Sequence, residues 1–273
     1  MSGAESAEYR GAVRWDAEEY ARNSAAQQGW AHELIEKLAL SGRESVLDLG
    51  CGDGKVTAEI ARMVGGGRVV GIDSSDEMIS LARRGFPESR HPNLSFQPGD
   101  ARALRFDSEF DVVFSNAVLH WVLDHGPVLE GAARSLRPGG RVLFQMGGRG
   151  NGAGIFEVAR QMIEDEEWSR FFGGFAFPWG FYGPEEYAPW CAAAGLEVRR
   201  IELLPRTMLQ KGAEGLAGWI RTTWMPYTER IPAERRERFV REAAERYVKA
   251  HPPDTHGNVG VEMVRLEVDA IRR

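Results

Sequence analysis

"VLDLGCGDGK", residues 46–55, is an apolar run broken by Asp48, followed by glycines at 50, 52 and 54. A buried-looking strand that runs into alternate glycines is a turn built for close approach by a ligand, because no side chain stands between backbone and guest. The carboxylate just before it decides which guest. A phosphate-binding P-loop needs Gly-Lys followed by Ser or Thr, and here Val56 occupies the hydroxyl position after Lys55. A dinucleotide fingerprint needs its third glycine at position 55, and the chain places it at Gly54. Asp48 and Asp53 would also repel a pyrophosphate at the start of the following helix. A cationic, phosphate-free ligand suits the loop better.

S-adenosylmethionine is such a ligand, with an ammonium, a sulfonium, a ribose diol and an adenine. Asp48 is expected to face its positive amino-acid end, with Gly50, Cys51 and Gly52 lining it. Asp73 ends a second apolar run, where a carboxylate accepts from ribose hydroxyls. Asp100, in "GDAR", is placed to bond the adenine amino group beside the Ala101 amide, with Ser74 and Met78 flanking the ring and Asn116 ending a fourth run. Polar strand ends of this kind converge on one crevice.

The pattern around the loop is regular. "SVLDLG", "RVVGID", "NLSFQ", "FDVVFSN" and "GRVLFQM" read as strands. They alternate with helices at "KVTAEIARMV", "SDEMISLARR" (Ser75 as N-cap) and "GPVLEGAARSL". Such alternation predicts an α/β, doubly wound, mostly parallel sheet. After Met146 the rhythm breaks into the aromatic stretch "FFGGFAFPWGFYGP". A helix, "PEEYAPWCAAAG", and a strand, "LEVRRIELL", follow; helices occupy much of 212–250, and "GVEMVRLEVDAIRR" alternates like a final strand. The expected organisation is an N-terminal helical segment, 1–44, closing the site, and a binding core, 45–146. A cap insertion follows at 147–183, then a core helix and strand at 184–204, a helical cap at 205–258 and a last core strand at 259–273.

Composition narrows the function classes. The 273 residues carry a net charge of -6 and a pI near 5.7, against a nucleic-acid partner, which calls for basic surface. The arginines at 235, 236, 238 and 241 are interleaved with glutamates, as on a solvated helix face. No apolar run approaches the ~20 residues that cross a bilayer, and no leader is visible, so a cytoplasmic protein with no membrane partner is expected. Cys51 and Cys191 make neither a metal-ligand spacing nor a disulfide framework, and no metal is expected. The partner is a small-molecule acceptor, and the protein a monomer or homodimer.

"VLDLGCGDG", "GIDSS", "GDAR" and "FSNAVLHWV" resemble, in order and spacing, the motifs of class I S-adenosylmethionine-dependent methyltransferases. The resemblance implies a seven-stranded Rossmann-like sheet with a helical, aromatic cap. A narrower likeness, through "SNAVLHWVLDH", the segment from Trp219 to Pro253 and "VRLEVDAIRR", is to trans-aconitate methyltransferases; "YARNSAAQ" is similar to juvenile hormone acid methyltransferases. Both imply a carboxylate acceptor. The second implies that Gln27 and Trp121 hold that carboxylate. A carboxylate is already ionised near neutral pH and needs donors, not a base. His120 stands where the trans-aconitate pattern has Gln, so it is either a further donor or a general base for an amine, phenol or carbon acceptor. Gln28, Arg149, Trp219, Arg221 and Tyr227 are the remaining candidates to meet the acceptor. A non-enzymatic S-adenosylmethionine-binding module is the third reading.

Overall fold

The computed structural model describes residues 25–273, with side chains from Trp30 onward. In chain order the elements are α1 (Ala25–Glu36), β1 (Ser45–Leu49), α2 (Lys55–Met63), β2 (Arg68–Asp73), α3 (Asp76–Gly85), β3 (Leu94–Pro98), β4 (Phe110–Asn116), α4 (Gly126–Ser135), β5 (Leu136–Gly147) and α5 (Ala153–Glu164). Then come α6 (Pro184–Ala193), β6 (Leu196–Lys211), α7 (Gly212–Thr223), the single turn α8 (Met225–Thr228), α9 (Ala233–Ala250) and β7 (Asn258–Arg272). The seven strands lie in the order β3-β2-β1-β4-β5-β7-β6, with β1 to β5 parallel and β7 antiparallel to β5.

The chain divides into two compact units. The larger holds the described residues to 151, then 180–206 and 263–273. Its sheet is apolar on both faces, because helices cover both. On one face α1 and α2 bring Leu34, Ile35, Ala58 and Ile60 onto Val46, Val112, Phe114 and Leu143. On the other, α4 and α6 bring Val128, Leu129, Tyr187 and Cys191 onto Leu47, Val113, Phe144 and Leu266. Ser75 caps α3 by accepting from the Met78 amide at 3.2 Å.

The last strand forms where its alternation predicts, and it carries buried charge. Arg265, Glu267 and Asp269 alternate with apolar residues, the pattern of a strand with one wet face. In the structure Glu267 is fully buried. Its carboxylate accepts from Lys37 Nζ at 2.8 Å, from Gln145 Nε2 at 3.1 Å and from the Arg200 guanidinium. Burial alone would push this carboxyl up. The hydrogen bonds from Lys37 and Gln145, with the charges of Lys37 and Arg200, outweigh it and hold the group below the usual range.

The smaller unit comprises Gly152–Trp179 and Thr207–Glu262 among its described residues. Here α9 packs on α5 and α7 around buried aromatics. Trp168 stands edge-on to Phe239 at 5.1 Å and donates its Nε1–H to Glu242 at 3.2 Å. The basic run on α9 is paired within the unit. Arg238 meets Glu167 at 2.8 Å and Arg241 meets Glu237 at 2.8 Å. Among the described residues no helix is long and apolar enough to cross a membrane.

Glu267→Gln keeps the shape and removes the charge, and is expected to lower the unfolding free energy by about 1–3 kcal/mol. Because the native carboxyl sits below its unfolded value, the difference from wild type should be full near neutral pH and shrink as pH falls through the carboxylate range. Urea denaturation at two pH values measures both.

Candidate active site

The ends of the parallel strands form one ledge. Asp48 lies opposite Gly71 and Phe114, Asp73 opposite Pro98, and Asn116 opposite Gln145. The chain leaves β1 towards β2 and returns on its other side at β4, and at such a switch point a crevice opens.

The glycine turn at the centre is already saturated. The Gly50 and Cys51 amides both donate to the Ile72 carbonyl, at 2.8 and 2.9 Å. The Gly52 amide donates to Asp73 Oδ2 at 2.9 Å, Gly54 to the Cys51 carbonyl at 3.0 Å, and Lys55 to Asp53 Oδ1 at 3.3 Å. A pyrophosphate would find these donors taken, and Asp53 is itself paired with Lys55 at 2.7 Å.

The three glycines, all at positive φ (77°, 54° and 81°), serve different ends. A Cβ on Gly50 would lie 2.4 Å from both Val118 methyls, and one on Gly54 would lie 2.7 Å from the Phe96 ring. Those two are required by packing. A Cβ on Gly52 meets nothing within 4 Å, so Gly52 is where the backbone stands bare. Cys51 was expected in the cofactor set. Its side chain is buried in the core beside Gly71 and its amide is used by Ile72, so it shapes the turn from behind.

Asp48 is 2% exposed and accepts from Thr57 Oγ1 at 2.7 Å. Burial pushes its carboxyl up to about 7, with the nearby Asp73 charge adding to the rise and the Thr57 hydrogen bond opposing it. Asp73, also raised by burial, holds the Gly52 and Ser75 amides. Two carboxylates in one shielded place are poised for a cation. Ser74 is exposed, Met78 lies on the buried face of α3, and Ala101 and Asn116 are half-buried. Asp100 has two roles inside the protein. It caps the short turn Ala101–Ala103 and is gripped by Arg102, whose amide and guanidinium approach at 2.7–3.1 Å.

Beyond β4 the chain makes a strained bend. Ala117 takes φ 58° while its amide donates to the Gln145 carbonyl at 2.7 Å, and this aims Val118 at Gly50. The next turn, Leu119–Trp121, carries His120 and Trp121, their rings 5.7 Å apart. His120 Nδ1 accepts from the Gly147 amide at 3.4 Å, its carbonyl accepts from Gly180, and its ring lies 6.0 Å from Phe181. Burial, reinforced by the Arg265 charge and by His125, drives the His120 pKa down to about 3. His125 anchors the turn. Its Nε2 bonds the Val122 carbonyl at 2.8 Å, its Nδ1 meets the Tyr187 hydroxyl, and Tyr182 stands edge-on at 5.0 Å.

Other candidates are placed as follows. Gln27 and Gln28 lie on the first turn of α1, and their side chains fall outside the described residues, as does the segment before Ala25. Arg149, offered as an anion contact, is held by Glu185 at 2.9 Å and by Glu186, at the start of α6. Trp219, Arg221 and Tyr227 belong to the smaller unit. Tyr227 is buried against Trp224 at 5.2 Å, Trp224 meets Trp219 at 6.4 Å, and Arg221 grips Glu237 at 2.9 and 3.0 Å. Among the described residues no group of three His, Cys, Asp or Glu is arranged to hold a metal. One residue had no signal in the sequence reading. Arg265, opposite Gly147 on β7, is 5% exposed with its guanidinium 4.3 Å over the Trp30 ring.

A methyltransferase domain family matches residues 46–140. The chain is 29% identical over 261 residues to a trans-aconitate 2-methyltransferase of Methylobacterium nodulans, covering 94% of this chain and 98% of that protein. It is 33% identical over 206 residues to the uncharacterized methyltransferase C70.08c of Schizosaccharomyces pombe, covering 72% and 76%. The crystal structure of the YcgJ protein from Bacillus subtilis superposes with a TM-score of 0.61 at 18% identity, over 90% of this chain and 99% of that one.

The glycine geometry separates two substitutions. Gly50→Ala should destabilise the fold by about 2–4 kcal/mol through the Val118 clash and the positive φ. Adding Val118→Ala should restore about 1–3 kcal/mol of that, as a double-mutant cycle measures. Gly52→Ala should cost only about 1 kcal/mol of stability yet weaken S-adenosylmethionine at least about tenfold by calorimetry, since only there does the new methyl enter the crevice.

Proposed function

Since the chain belongs to the class I S-adenosylmethionine-dependent methyltransferases, we propose that it methylates a carboxylate oxygen of a small organic acid to give a methyl ester. The observation that carries this reading is the setting of His120, whose Nδ1 is already taken by the Gly147 amide. With a pKa of about 3 the imidazole is neutral and a poor proton acceptor at physiological pH. A general base works best with a pKa near the operating pH. An amine, phenol or carbon acceptor would lack a base at this position, whereas a carboxylate needs none. Relatives named for trans-aconitate support the same class of acceptor.

S-adenosylmethionine supplies an electrophilic methyl on a sulfonium and leaves as a neutral thioether. The residues present fit it: Asp48 provides a buried carboxyl, Asp73 a half-buried one, and Gly52 leaves the backbone bare. The chain's own part is alignment and the exclusion of water. His120 Nδ1 accepts from Gly147, so its Nε2 carries the proton and can donate to an acceptor oxygen. Trp121 Nε1–H is a second uncharged donor, and Gln27 a third. Such donors orient a carboxylate without trapping it in a strong ion pair. Arg149 and Arg221 are each engaged by glutamate, which favours an acid with fewer carboxylates than aconitate. A cytoplasmic setting is part of this reading, with Cys51 and Cys191 both buried and unbridged.

The test is transfer of label from methyl-labelled S-adenosylmethionine to a panel of acids, amines and phenols. A base-labile methyl ester is expected; label found only on nitrogen, phenol oxygen or carbon overturns the reading. His120→Gln, which keeps a donor, should retain kcat within about tenfold, against the 10²–10⁴-fold loss that removal of a general base brings. Affinity for S-adenosylmethionine should weaken as pH falls below about 7, by up to about tenfold per unit, because a cation prefers ionised Asp48. Asp48→Asn should bind weakly at every pH and lose that slope, as calorimetry across pH 5.5–8.5 reads.

A further inference from the structure

The carboxylate at the end of β1 is held by a side chain that reaches it from the next helix. Thr57 lies on α2, two residues after Lys55, and is fully buried. A helical threonine commonly turns its hydroxyl to a backbone carbonyl three or four residues earlier. Thr57 instead donates across to Asp48 Oδ2 at 2.7 Å, and among the described residues this is the one side-chain hydrogen bond that either residue makes.

The consequence is orientation. A hydroxyl has a single proton, so Thr57 engages one carboxylate oxygen and restrains the rotation of the whole group. Oδ1 of Asp48 is left for a guest, and no described residue donates to it. The same bond bears on charge, because a hydrogen bond to the ionised form of a carboxyl favours that form. Burial pushes Asp48 up to about 7, and the Thr57 hydroxyl opposes the rise. Among the described residues the titratable groups around Asp48 give it no such help. Asp73, at the end of β2, adds like charge, burial pushes the Cys51 thiol up, and Lys55 is paired with Asp53 at 2.7 Å.

We propose that Thr57 is a positioning residue of the cofactor site: its hydroxyl holds one oxygen of Asp48 and presents the other to the ammonium of S-adenosylmethionine. This rests on the reading above of Asp48 as the partner of the cofactor's cationic end.

Thr57→Val matches the side chain in shape and removes the donor. By calorimetry at pH 7 its Kd for S-adenosylmethionine should rise about five- to tenfold, and the pH at which affinity falls away should move up by about one unit. Without cofactor, the Asp48 carboxyl followed by carbon-13 NMR should titrate higher by about the same unit. Thr57→Ser keeps the hydroxyl and should bind within about threefold of wild type. In an Asp48→Asn background, Thr57→Val should change Kd by less than about twofold, since the hydroxyl acts through the carboxylate. A folded Thr57→Val protein that binds as wild type with an unmoved pH midpoint overturns the proposal. A loss of affinity that persists undiminished in the Asp48→Asn background overturns it too, because Thr57 would then act through the general packing of α2. Should Thr57→Val not fold, Thr57→Ala decides on the same two readings. If Asp48→Asn alone binds S-adenosylmethionine as the wild type does, the reading of Asp48 has failed and the proposal falls with it, an outcome visible without any Thr57 variant.

Discussion

Two backbone amides, Gly50 and Cys51, converge on a single carbonyl, that of Ile72. This knot pulls the turn after β1 across the end of β2, and much of the site follows from it. It brings the Gly52 amide onto Asp73 and leaves Gly50 so close to Val118 that no side chain fits between them. The turn is thereby tied both to β2 and to the loop after β4. It also has few donors left for a phosphate. A loop that has satisfied its own amides can select a ligand only by space and by charge, and here the charge is the carboxylate of Asp48 and Asp73.

That charge is stored at some cost. Asp48 is raised to about 7 by burial, so ionising it in the absence of a cation is costly. Binding a sulfonium and ammonium relieves the cost of ionising it. Arg265 on β7 is likewise buried, and its charge adds to the burial that keeps His120 neutral. On the carboxylate reading the methyl donor is a cation and the acceptor an anion, so opposite charges already draw the two together. Methyl transfer between them then needs alignment more than proton transfer.

The loop carrying His120 and Trp121 is held with corresponding care. Ala117 adopts a left-handed backbone that costs an L-residue of order 1 kcal/mol. Hydrogen bonds of its amide to β5 and of His125 to Val122 and Tyr187 keep the bend in place. Strain of this sort is retained where a side chain has to be aimed.

Local periodicity was enough to place the strands, the alternating helices and the Ser75 cap, because period-2 and period-3.6 patterns record which face is covered. The spacing of glycines and aspartates likewise pointed to the cationic cofactor. What each polar group finally touches was not legible. Asp100 and Arg149 looked available in the sequence, and are gripped by Arg102 and by Glu185 and Glu186. Arg265 and Glu267 alternate with apolar residues in the sequence, and that alternation alone does not say which face meets water. Only the strand order, which inserts β7 between β5 and β6 and lays α1 over its face, turned that stripe inward. Pattern reports that a strand has two unlike faces; which of them meets water depends on neighbours that come from distant parts of the chain.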